Sequence, residues 1–125
     1  MTMNMLAVFA GGGLGALLRY LITMAVYGED APSFPYGTLA VNVLGCFVLG
    51  LAAAFFLKQP GWSMVVKLFV ITGILGGLTT FSTFTLETFN LLCTEPVYGV
   101  LNLAVSLAGG LMVLAGGMAL GTRLF

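Results

Sequence analysis

Four apolar runs, each long enough to cross a bilayer, fill almost all of this sequence and decide what it can become. A spanning helix needs about 20 consecutive, mostly apolar residues. The runs read as helices over about Asn4 to Val26, Thr38 to Leu57, Val65 to Cys93 and Val97 to Thr122. Only 6% of the 125 residues are charged, against roughly 25% in a soluble domain. Four basic and four acidic side chains cannot cover a water-exposed surface, so that surface faces lipid. The expected fold class is all-α and integral to the membrane. Residues 1–125 read as a single domain of four transmembrane helices.

The same composition removes several functions. Net charge is zero, so no basic face for nucleic acid is expected. There is no histidine, which takes away the commonest metal ligand and general base. No catalytic constellation remains, and the chain reads as a non-enzyme. Cys46 and Cys93 lie inside apolar runs and read as small packing residues; without histidine they make no zinc site. Residues 1–18 carry neither a basic start nor an A-x-A-like cleavage site, so the first run is expected to be a retained helix.

Punctuation separates the runs. Two prolines, two glycines, Glu29 and Asp30 mark a surface loop from Tyr27 to Gly37. Lys58-Gln59-Pro60-Gly61 is a turn, and Trp62 beside it suits the membrane interface. Thr94-Glu95-Pro96 ends the third run. Glycines pair at helical spacing as Gly11/Gly15, Gly73/Gly77 and Gly117/Gly121, the small-xxx-small pattern that lets helix backbones approach. Gly11 to Ala16 also matches a dinucleotide fingerprint formally, but that motif needs a preceding strand. Four helices leave little room for a pore in one chain, so a homo-oligomer is expected.

The third run departs most from a plain span. Its centre reads Gly76-Gly77-Leu78-Thr79-Thr80-Phe81-Ser82-Thr83-Phe84. Paired glycines at bilayer depth predict a helix break, which frees backbone carbonyls that must be satisfied. Such carbonyls suit a hard cation such as Na⁺. Phe81 and Phe84, three apart, share a helix face. Their positive ring edges, beside hydroxyls, suit a small anion; plain packing in the membrane is the competing reading. Asn42 is either an interhelical hydrogen bond or a pore-lining donor. Arg19, inside the first run, either snorkels to the headgroups or lines a water-filled vestibule that attracts anions.

Taken in order, Gly11-Gly12-x-x-Gly15-Ala16-x-x-Arg19-Tyr20, then Gly37-Thr38-Leu39-x-x-Asn42, then the Gly76–Phe84 segment resemble the Fluc (CrcB-type) fluoride channels over essentially the whole chain. The third motif is the specific one. The resemblance implies an antiparallel dimer with a broken third helix and two separate fluoride pathways. It implies a structural Na⁺ at the dimer interface, held by the backbone carbonyls of Gly76 and Thr79. Asn42, Phe81, Phe84, Ser82, Thr83 and Thr38 would line the fluoride pathway, with Arg19 at its vestibule. The implied activity is passive, selective export of cytoplasmic fluoride by a multi-pass protein of the bacterial cell (inner) membrane. One departure concerns the fourth helix. Members often carry several hydroxyls on its pore-facing side, and here Ser106 is the sole hydroxyl in its middle.

Fluoride is small, strongly hydrated and accepts hydrogen bonds without donating. A path for it must offer donors, yet hold the ion weakly enough to let it leave. No basic residue lies between Lys67 and Arg123, which fits that demand. Two other functions compete: a small proton-coupled multidrug exporter, which needs an acid in mid-membrane, and a structural or accessory membrane subunit. Basic residues favour the end that holds Lys58, Lys67 and Arg123. The expected assembly is still a dual-topology homodimer, with a pair formed by an oppositely oriented sister chain as the alternative.

Overall fold

The computed structural model describes residues 1–27 and 33–125, all of them helical or in short connections. Among the described residues four helices are long and apolar enough to cross a membrane: Thr2–Tyr27, Tyr36–Lys58, Met64–Thr94 and Pro96–Leu124. They are called the first to fourth spans. Each reaches one or two residues beyond the run read from sequence at either end. Ser63 caps the third span by accepting from the Val66 amide at 3.4 Å. Pro96 starts the fourth, where its missing N–H costs nothing. Residues 28–32 of the predicted Tyr27–Gly37 loop, including Glu29 and Asp30, lie outside the described residues.

Glycines join the spans in two pairs. On the first span Gly11 and Gly15 are buried against the first half of the third span. A Cβ on Gly15 would collide with the Ile74 carbonyl, and one on Gly77 would lie 2.5 Å from the Gly12 carbonyl. Gly50 lies in the same way against the Leu114 carbonyl, and Gly117 against that of Phe47, joining the second and fourth spans. All three predicted glycine pairs are thus helix contacts. Val41, Leu75 and Leu78 form a small core between these units. Large side chains such as Phe9, Leu111 and Met112 face outward, as a lipid-covered surface allows.

The third span is bent and built of joined pieces. It winds as a π-helix over Leu68–Leu75 and returns to α geometry over Gly76–Leu78. It opens at Thr79 and Thr80, with ψ of 155° and 118°, and resumes as Phe81–Thr94. The break therefore falls two residues after the glycine pair. Gly76 itself is helical, at φ −66° and ψ −32°. The glycines permit close packing; the threonines and Asn42 hold the break open.

Candidate functional site

Hydrogen bonds around Thr79 and Thr80 explain the opening. The Thr79 amide and hydroxyl both donate to the Leu75 carbonyl, at 3.1 and 2.9 Å. The Thr80 amide would close the next helical turn onto the Gly76 carbonyl. It donates instead to Asn42 Oδ1, at 2.8 Å. Asn42 Nδ2 donates back to the Thr80 carbonyl at 3.1 Å. One amide side chain on the second span thus occupies both main-chain groups of Thr80, as a neighbouring strand would. The Thr80 hydroxyl accepts from the Thr83 amide at 3.3 Å and caps the resumed helix.

Two cavities meet at this break. The first, of about 320 Å³, is lined by Asn42, Gly76, Thr79, Thr80, Phe81, Phe84 and Ser106 among others. The second, of about 330 Å³, is lined by Arg19, Thr38, Thr80, Thr83 and Glu87 among others. Thr80 lines both. The Phe81 and Phe84 rings lie 5.9 Å apart at 49°, on one side of the first cavity. Phe84 is buried, whereas Phe81 is exposed on the single chain.

In the second cavity Arg19 donates to the Thr79 carbonyl at 3.4 Å. The Thr38 hydroxyl donates to Glu87 Oε1 at 2.9 Å. Glu87 Oε2 is buried with no partner among the described residues. A buried acceptor in that state needs a donor, and this one belongs to a residue of the Arg19-lined cavity. Among the described residues no group of three or more His, Cys, Asp or Glu could hold a metal ion. A cation here would rest on main-chain oxygens. The Gly76 carbonyl fits, since the Thr80 amide is turned away from it.

The structure thus sorts the residues singled out from the sequence. Asn42, Phe81 and Phe84 come together in one cavity, and Arg19, Thr38 and Thr83 in the other. Ser82 is exposed and lines neither. Thr80, Glu87 and Asn102 were not among the expected pathway residues. Their signal was a polar side chain inside an apolar run, which in a membrane marks a partner or a site.

A model of the family described as CrcB-like protein, Camphor Resistance (CrcB), matches residues 6–118. The chain belongs to the CrcB family. Among CrcB relatives, a protein of Rhizobium meliloti (strain 1021) named fluoride-specific ion channel FluC is 40% identical over 118 residues, 94% of each chain. A protein of the same name from Serratia proteamaculans (strain 568) is 45% identical over 114 residues, 90% of this chain and 89% of its own. The break, the Asn42 clamp and both cavities fall within the CrcB match.

Proposed function

We propose that this CrcB protein is a fluoride-selective channel, not an enzyme, giving cytoplasmic fluoride a passive way out across a bacterial inner membrane. The observation that carries the reading is the first cavity, where an amide, hydroxyls and two phenylalanines converge at a helix break. Arg19 stands in the neighbouring cavity, where it draws anions in without trapping them in the narrow part. Fluoride then passes Thr38 and Thr83, crosses at Thr80 beside Asn42, and leaves between Phe81 and Phe84. Ser82 joins the path only where a second chain covers it.

Two chains pack antiparallel in this reading and give two pathways. A structural Na⁺ between them rests on the Gly76 and Thr79 carbonyls. The donor set suits it: the Thr79 hydroxyl spends its proton on Leu75, and the ligand proposed beside it is the Thr79 carbonyl. That carbonyl has two lone pairs, and the 3.4 Å Arg19 contact occupies one.

The test is ion efflux from liposomes holding the purified protein. Fluoride should leave rapidly and chloride should stay. A proton-coupled exporter would instead expel a cationic dye in a way that depends on Glu87. An accessory subunit would pass neither. Equal efflux of chloride and fluoride would end the selective-channel reading.

A further inference from the structure

Asn102 is the most deeply buried polar side chain described, 1% exposed, and it lies in the fourth span. Its Nδ2 donates to the Thr88 hydroxyl at 2.8 Å. Thr88 in turn donates to the Phe84 carbonyl at 2.7 Å. Chemistry fixes the amide's orientation. A carbonyl only accepts, so the single Thr88 proton is spent on Phe84, and the Thr88 oxygen must accept from a nitrogen. Asn102 Oδ1 therefore faces Ser106, whose hydroxyl donates to it at 3.3 Å. Ser106 lines the first cavity, on a π-wound segment, Val105–Gly109. π-bulges often mark functional positions.

The relay runs one way, from cavity to helix: Ser106 to Asn102, Asn102 to Thr88, Thr88 to Phe84. A serine has one proton. While Asn102 holds it, Ser106 turns only lone pairs toward an anion in the cavity. To donate to that anion Ser106 must rotate, and Asn102 Oδ1 is left buried without a donor. That loss weakens the site by a factor of roughly ten.

We propose that Asn102 is a positioning residue that competes with the transported anion for the Ser106 proton, keeping this hydroxyl a weak binding point. This rests on the channel reading above and adds to it. Weak holding favours exit, which conduction requires. The Thr88 hydroxyl is part of the device, because it stops the amide from turning its nitrogen toward Ser106.

The experiment measures fluoride flux in liposomes against fluoride concentration. Asn102→Leu removes the competing acceptor. Thr88→Val keeps the side-chain shape but removes the hydroxyl that fixes the amide, so Asn102 Nδ2 is free to turn to the Ser106 oxygen and release the proton; thermal unfolding checks that the variant is folded. Both should lower the half-saturating fluoride concentration, by roughly tenfold for Asn102→Leu, and lower the maximal flux. In a Ser106→Ala background neither should shift half-saturation. A purely structural role would reduce flux equally in both backgrounds. Unchanged half-saturation in Thr88→Val and Asn102→Leu, or a shift that survives Ser106→Ala, overturns the competition. Unmutated protein that passes no fluoride overturns the channel reading itself, and the competition falls with it.

Discussion

Phe84 is 6% exposed and Phe81 75%, although their rings are neighbours, so the same substitution tests different things at each. Phe84→Ile should lower thermal stability by about 1–3 kcal/mol, because it leaves a partly unfilled core site, and should lose most fluoride flux. Phe81→Ile should lose flux with the chain's stability unchanged. Flux and thermal unfolding measured together decide it; wild-type flux in both variants would show that the rings only pack. Asn42→Asp is sharper. The variant can still accept from the Thr80 amide, but its second oxygen meets the Thr80 carbonyl, where Nδ2 now donates at 3.1 Å. Losing that bond leaves a part-buried acceptor bare, worth about 1–3 kcal/mol, so flux at neutral pH should drop by roughly five- to a hundredfold. Unaltered flux would remove Asn42 from both clamp and path. Asn42 was legible in the sequence as a polar residue in an apolar run, yet its partner lies 38 residues away. Glu87 and Thr38 are 49 residues apart. Spacing says which helix face a side chain occupies, not what another span brings to it.

At the level of the helices, hydrophobic length placed all four span ends to within a residue or two, since the bilayer fixes how much apolar chain is needed. The break was legible as a segment but not in its cause. Glycine predicts where a helix is weak, whereas here hydrogen bonds to another span decide where it opens. The π winding of Leu68–Leu75 had no residue signature at all; it accompanies the close approach of Gly11 and Gly15, which face the Phe69 and Ile74 carbonyls. Two glycines of this region should therefore respond in opposite ways. Gly15→Val has no room, since even its Cβ would overlap main-chain atoms of Ile74 and Leu78. It should destabilise the chain by about 1–3 kcal/mol or more. At Gly76 the nearest atom to an added Cβ is the Ile71 carbonyl oxygen, 3.7 Å away, an ordinary contact. Gly76→Ala should leave the single chain folded and as stable as before, while weakening dimerisation and flux if a second copy closes on this surface. Thermal unfolding of monomer held in detergent, beside size measurement of the dimer, separates the two. A Gly76→Ala monomer as unstable as the Gly15→Val one would show that Gly76 serves the fold alone.

Across the whole molecule, three of the four basic side chains gather at one end. Lys58 donates to the Thr122 carbonyl at 2.7 Å, beside Arg123, and Lys67 reaches the Pro60 carbonyl at 3.5 Å. Four spans return both ends of the sequence given to the same side. Basic loops stay in the cytoplasm, so this distribution alone favours one orientation, with Lys58, Lys67 and Arg123 inside. The antiparallel homodimer proposed above requires the opposite orientation as well, against a bias of three cations. The open cavity flanked by Gly76, Phe81 and Leu107 lies on the outer surface of a single chain, where a second copy would cover the exposed Phe81 ring. Single cysteines placed beside Met1 and Phe125, in a background lacking Cys46 and Cys93, should be labelled by an impermeant reagent from both faces of the membrane. Glu95→Lys adds a cation at the opposite end and should move the ratio toward chains with Met1 and Phe125 outside. Labels reached only from the cytoplasm, in a protein that passes fluoride only when a second, different chain is co-expressed, would replace the homodimer with a mixed pair.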